Sequence, residues 1–157
     1  MTPGTSKQRV ALFNDKNLPL FNRAVAGAYN PGSTIKPLVA VAGLREGVIT
    51  PTTSIYSKGY IEIPNPYVPE KPARFVEFNQ KELGWIDVRS ALAESSNIFF
   101  ASIGGGWPPI NGIGIEKLRG YWAAFGLGAK TGIDAKPEAG GFLPNPAEKL
   151  ERTGQPW

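Results

Sequence analysis

Ala28-Tyr29-Asn30-Pro31-Gly32-Ser33-Thr34-Ile35-Lys36-Pro37-Leu38-Val39-Ala40-Val41-Ala42-Gly43-Leu44 is the stretch from which the rest of this sequence is read. A Pro-Gly entry delivers Ser33 to the head of an apolar helix, and Lys36 follows three residues later. On a helix, residues three apart lie one above the other on one face. The Ser33 hydroxyl and the Lys36 ammonium can therefore meet beside the unpaired N–H groups of the first turn. A serine nucleophile is activated in this way when a lysine, rather than a histidine, is the neighbouring base.

Composition leaves a lysine or a carboxylate as the base of any nucleophilic chemistry here. The 157 residues contain no His and no Cys, so Ser-His-Asp and Cys-His catalysis are both excluded. Metal sites built on those side chains go with them, leaving only carboxylate sites suited to magnesium or calcium. No cofactor and no metal is expected. A lysine acting as a base near neutral pH must titrate about three pH units below its ordinary value, a difference of ~4 kcal/mol. Burial is the effect that can supply it.

A hydrophobic content of 41% with 19% charged residues describes a globular chain, and the length suits one domain. Gly 19 and Pro 15 are numerous, but stay below the level that marks disorder. The net charge of +4 comes from scattered Lys and Arg, so no nucleic-acid footprint is read. The longest apolar run, Leu38 to Leu44, falls far short of a membrane span. Residues 1–9 have no apolar core of the kind a signal peptide needs and read as a loose end.

Along the chain, Val10-Ala11-Leu12-Phe13 is a short apolar patch, and Pro19 argues against a helix running through Leu18 to Ala24. Pro37 predicts an irregular turn at Lys36. Leu38, Val39, Val41 and Leu44 surround the next helix with apolar side chains, the pattern of a buried helix. Arg45-Glu46-Gly47 stops it. Residues 47–84 form a Pro-rich insert, in which Tyr60-Ile61-Glu62-Ile63 and Arg74-Phe75-Val76-Glu77-Phe78 are candidates for a short hairpin. Asp87 caps a helix carrying Val88, Ala91 and Leu92. Ser95-Ser96-Asn97 breaks that helix and can cap a second one, Ile98 to Ile103, which Gly104-Gly105-Gly106 ends. A last helix is predicted over about Ile115 to Phe125, and from Lys130 on the chain reads as loop.

Taken alone, Ser33 with Lys36 is a weak signal; a capping serine and a solvated lysine explain it equally well. Ser95-Ser96-Asn97 alone reads as a polar break. In this order and context, the two make a pair that serine β-lactamases and penicillin-binding proteins share. The wider wording resembles the transpeptidase domain of class B penicillin-binding proteins, of the elongation type. Phe21-Asn22-Arg23-Ala24, Pro31 to Lys36, Glu46-Gly47-Val48-Ile49, Ser95 to Phe100, and Phe125-Gly126-Leu127-Gly128 through Ile133-Asp134 all follow the family's order. Lys130-Thr131-Gly132 spells the family's third motif, yet lies 35 residues after Ser95, where the family has a loop; Lys130 is read as structural. Asp134-Ala135-Lys136-Pro137-Glu138 departs from the family's usual Asp-Leu-Pro-Gly-Glu.

The resemblance implies a fold class: an α-rich slice of an α+β serine transpeptidase/β-lactamase-like domain, with most of the central five-stranded sheet missing. Residues 10–157 would be the partial domain. Such a slice would expose the sheet-facing side of the helix after Ser33. The resemblance also implies the activity, D,D-transpeptidation in peptidoglycan synthesis. Ser33 would attack the D-Ala-D-Ala carbonyl of a stem peptide, and Lys36 would take its proton. Ser95 would relay a proton to the leaving nitrogen, and Asn97 would bind the substrate amide and orient Lys36. A β-lactam is the expected covalent inhibitor. The parent protein would be membrane-anchored on the extracytoplasmic face, with cell-wall elongation partners, and this slice alone would be a poor enzyme. The alternatives are a β-lactam-binding sensor module without turnover and an inactive structural fragment. A β-lactamase fits less well, because no deacylating glutamate context is found.

Overall fold

Pro37 shapes the helix at the heart of the chain. It has no N–H to donate and it disfavours α geometry in the residue before it. In the structure, a computed structural model that describes residues 5–64 and 70–155, the chain enters by a 3₁₀ turn over Gly32–Ile35. It then passes into α3, Lys36–Arg45, with Pro37 in the first turn; Lys36 itself keeps ordinary α geometry (φ −58°, ψ −40°), so the expected irregularity lies in the 3₁₀ turn before it and not at Lys36. The start of the expected loose end, part of the Pro-rich insert with Pro66 and Pro69, and the last two residues lie outside the described residues.

The chain divides into two compact units: Met1–Asn30 with Gly126–Phe142, and Pro31–Phe125 with Leu143–Trp157. In the first, α1 (Ser6–Phe13) opens with a capping box between Thr5 and Gln8, so part of the expected loose end is helical. A short helix, α2 (Arg23–Ala26), follows. The Arg23 guanidinium donates to the carbonyls of Asn17 and Leu18, and Ala139 N–H donates to Val25 O at 3.0 Å. No described residue of this unit is buried.

The second unit holds the core. Strand β1 (Ile55–Ser57) pairs antiparallel with β4 (Gly84–Ile86), and β2 (Tyr60–Ile63) pairs antiparallel with β3 (Ala73–Val76). The β2–β3 register sets Tyr60 against Val76 and Ile63 against Ala73, the hairpin that alternation suggested. The β1–β4 ribbon is not legible in the sequence, because three-residue strands carry too short a pattern. Among the described residues these two ribbons are the sheet structure.

Helices α4 (Val88–Ala93), α5 (Asn97–Gly105) and α6 (Ile115–Ala124) complete the packing around α3. Ile98, Phe99 and Ile103 of α5 are fully or almost fully buried, joined by Ala42, Ala91, Ile49, Ile86 and Leu118. Gly43 lets α3 and α5 approach closely: a Cβ there would stand 3.0 Å from Ile103 Cγ2. Glu46, at the end of α3, accepts hydrogen bonds from Lys117 (2.5 Å) and Tyr121 (2.9 Å) of α6. Helix α3 is packed on several sides and open on one. Val39, Ala40, Ala42 and Gly43 are buried, but Val41 is 44% and Leu44 40% exposed. With Pro37 they form one open stripe at helical spacing.

The tail is not loop throughout. Asn145 caps α7 (Pro146–Thr153), its Oδ1 accepting from Ala147 N at 2.9 Å, and Gly154 closes it in the left-handed conformation. Asn, then Pro at the first helical position, then Gly past the end is a legible start and stop signal. Asn145→Ala should cost about 1 kcal/mol of helix stability, read as a lower urea midpoint with a loss of far-ultraviolet helical signal. An unchanged midpoint and signal would remove the cap from the account of α7.

Candidate active site

Gly32, at φ +58°, opens the 3₁₀ segment, and Ser33 is its second residue. Lys36 follows at its end, with its backbone N–H donating to Ser33 O. The Lys36 side chain runs inward and is only 8% exposed. Its Nζ donates to Ser95 O (2.5 Å), Ser95 Oγ (3.0 Å) and Asn97 Oδ1 (2.8 Å). The Phe100 ring centroid lies 6.0 Å from Nζ, at the outer limit of a cation–π contact. Burial holds the Lys36 ammonium below the ordinary lysine value of 10.5, and the charge of Glu77 acts in the opposite sense.

Two chain segments about sixty residues apart thus meet at one nitrogen. Ser95 adopts φ +55°, a left-handed conformation that non-glycine residues rarely take and that collects at functional sites. This kink separates α4 from α5. Ser96 caps α5 by accepting from Phe99 N at 3.0 Å, and Asn97 begins the helix. The Asn97 amide is fixed at both ends: Oδ1 accepts from Lys36, while Nδ2 donates to Val76 O at 3.0 Å.

Of the four residues singled out from the sequence, the structure brings together Lys36, Ser95 and Asn97. Ser33 is exposed, and among the described residues no hydrogen bond joins its hydroxyl to Lys36. The valence of the ammonium accounts for this. It has three N–H donors, and all three are committed to Ser95 and Asn97. Loss of one proton would leave two donors and a lone pair, the form that can accept the Ser33 hydroxyl proton.

An open cleft of about 540 Å³ lies beside the lysine. Val39, Phe100, Leu118 and Trp122 supply apolar wall, and Lys36 and Asn97 bring polar atoms to it. Sequence reading missed Glu77, which is 3% exposed and accepts from the Ser96 hydroxyl and the backbone N–H of Asn97. As the fourth residue of an alternating run, it read only as part of a strand. Among the described residues no cluster of three metal-ligating side chains occurs, and no helix is long and apolar enough to cross a membrane.

The sequence model of the penicillin binding protein transpeptidase domain matches residues 3–155. The chain belongs to this family. Among curated relatives, it is 37% identical over 153 residues to the peptidoglycan D,D-transpeptidase MrdA of Escherichia coli K12, and 35% identical to that of Haemophilus influenzae. Each alignment covers 98% of this chain and 22% of the relative, so the chain spans about a fifth of the length of these proteins. Among solved structures, it resembles Pseudomonas aeruginosa PBP2 in complex with WCK 5153, with a TM-score of 0.81 and 33% identity, over 98% of this chain and 32% of that one. Helicobacter pylori PBP2 in complex with MreC also matches at a TM-score of 0.81, with 29% identity, over 98% and 26% of the two chains.

Within a penicillin-binding transpeptidase domain, Lys130-Thr131-Gly132 asks to be taken for a catalytic motif. Here Thr131 N (2.6 Å), Thr131 Oγ1 (2.6 Å) and Gly132 N (3.1 Å) all donate to the Glu138 carboxylate, closing a loop. The segment belongs to the other compact unit and is not part of a strand. That supports a structural reading of Lys130.

Proposed function

We propose that this chain is the nucleophile-bearing, largely helical part of a peptidoglycan D,D-transpeptidase that works through a serine acyl-enzyme. The observation that carries the reading is the capture of the Lys36 nitrogen by Ser95 and Asn97. A surface lysine chosen by chance would stay in water, since burying an ammonium is costly without partners. The open stripe of α3 is where the rest of such a domain would pack. The coverage of a fifth to a third of the relatives fits a slice of that kind.

The chemistry follows from the groups present. The Ser33 oxygen attacks the carbonyl carbon of a D-Ala-D-Ala stem peptide while its proton passes to the neutral Lys36 amine. An N–H at the head of the 3₁₀ turn donates to the developing oxyanion. Ser95, hydrogen-bonded to Lys36, gives its proton to the leaving D-Ala nitrogen as the C–N bond breaks and regains one from the Lys36 ammonium. Asn97 holds the amine and the peptide amide in register. A β-lactam presents the same carbonyl and would stop at the acyl-enzyme. The whole protein would act on the extracytoplasmic face of the membrane beside elongation proteins of the MreC kind. The isolated chain would be slow, because the cleft beside its lysine is open and the ammonium is already saturated.

A fluorescent penicillin tests this. Labelling of the chain over hours, with the adduct mapped to Ser33 by mass spectrometry, is the expected result. Adduct on another residue, or none after a day in excess reagent, would favour an inactive fragment and end the proposal. Complete labelling within minutes would instead show that the slice is competent by itself. A slowly lost penicillin adduct on a chain that never exchanges the terminal residue of a D-Ala-D-Ala peptide would favour the sensor reading.

The pH dependence has a definite sign. Labelling needs the neutral amine, so its rate should climb with pH. Because burial lowers the Lys36 titration, the rate should level off below the ordinary lysine value. A rate still rising beyond that value would show that the lysine is not the base.

A further inference from the structure

Lys36 and Glu77 are the two ionisable side chains buried among the described residues, and they carry opposite charges. They are joined through Ser95-Ser96-Asn97 rather than by a direct ion pair. Lys36 binds one side of this turn, at Ser95 O, Ser95 Oγ and Asn97 Oδ1. Glu77 binds the other: its Oε1 accepts from Ser96 Oγ at 2.5 Å and Oε2 accepts from Asn97 N at 2.5 Å. A third donor, Ser57 Oγ, reaches Oε1 at 3.0 Å. The backbone then pins the glutamate in place, with Glu77 N donating to Gly59 O at 2.9 Å. Gly59 is required there. Its φ is +93°, and a Cβ would stand 2.4 Å from Gln80 O.

A left-handed serine persists only where its surroundings over-determine it, and a cation and an anion on opposite sides of the turn do so. We propose that Glu77 is a positioning residue of the acylation site: its buried carboxylate locks Ser95, Ser96 and Asn97 in the arrangement that receives the Lys36 amine, and it serves as counter-charge when that amine is protonated. The assignment rests on the acyl-transfer reading of Ser33 and Lys36. As Ser33 Oγ bonds to the carbonyl carbon and its proton moves to Nζ, the site gains a positive charge, and Glu77 is already placed to meet it.

The plainer alternative is that Glu77 only caps the N-terminus of α5. The two readings differ at Lys36. Other charged side chains on the elements packed around α3 and α5 are Arg74 on β3, Arg89 on α4, and Glu116, Lys117 and Arg119 on α6. The charge that acts on Lys36 is that of Glu77.

The test follows Lys36 directly, by nuclear magnetic resonance of the full chain labelled with ¹³Cε-lysine, in the wild type, E77Q and S57A. In E77Q the Lys36 titration should move to lower pH, and the Asn97 amide should exchange faster. In S57A, which keeps the charge, Lys36 should titrate as in the wild type. Penicillin labelling of E77Q should fall by roughly tenfold or more, as expected when a hydrogen bond to a charged group is lost. The acid limb of its pH profile should move down. A cap alone would lower the rate and leave that limb where it was. A Lys36 titration unmoved in folded E77Q would overturn the proposal. If E77Q does not fold, the wild type decides. A Glu77 carboxyl carbon signal that follows the Lys36 titration supports the counter-charge, and one blind to it overturns the counter-charge. If Lys36 responds to E77Q but Ser33 never acylates, the acyl-transfer reading fails while the hold of Glu77 on the turn stands.

Discussion

Replacing Lys36 by methionine should slow the labelling of Ser33 by a fluorescent penicillin about 10²- to 10⁴-fold at neutral pH, the range expected when a positioned general base is lost. Ser33→Ala should remove the covalent label altogether. Methionine is the informative substitution because it keeps the apolar stem that packs in the cleft while discarding the amine. Lys36→Arg should not restore activity, since a guanidinium stays protonated throughout the accessible pH range. Lys36→Met also leaves Ser95 O and Asn97 Oδ1 without the donor they now share. The thermal midpoint must therefore be measured beside the labelling rate, to separate lost chemistry from lost structure. A folded Lys36→Met chain that labels at the wild-type rate would remove lysine from the mechanism.

Phe99→Ala should destabilise the second unit by about 3–5 kcal/mol, a large part of the ~5–15 kcal/mol that holds an ordinary domain together. Phe99 is 0% exposed. Its ring meets Phe100 edge-on, at 5.6 Å between centroids and 70° between planes. Its amide is the donor that Ser96 caps. Losing the ring would leave a cavity under the turn that presents Ser95 and Asn97, so labelling of Ser33 should fall with stability. Phe78→Ala is the control. That side chain is 80% exposed, and its loss should change stability by no more than about 0.5 kcal/mol. Urea denaturation of both variants checks the contrast; equal midpoints would show that α5 is not the centre of the core.

The helical half of the fold was legible because its signals are local. Asp87 before an apolar-periodic run, Ser95-Ser96-Asn97 as a break and Gly104 to Gly106 as a stop all act within one or two turns. The β2–β3 hairpin was legible by alternation. What went unread has two causes. The β1–β4 ribbon is too short to show a period, and α7 (Pro146–Thr153) announces itself only by its caps, Asn145 and Gly154, within a stretch that otherwise reads as loop. For α3 the surrounding apolar residues spoke for burial, and the open stripe of Pro37, Val41 and Leu44 qualified it.

The site divides along the same line. Sequence by itself determined that no histidine or cysteine could act, that a lysine follows a serine at helical spacing, and that a Ser-Ser-Asn turn lies between two helices. Those are statements about composition and near neighbours. Only the tertiary structure decided that the Lys36 nitrogen is bound to the 95–97 turn rather than to Ser33, and that Glu77 braces that turn from the interior. The reason is physical. A buried charge takes whatever donors and acceptors the packed chain brings within about 3 Å, and which groups those are depends on how residues twenty to sixty positions apart fold together.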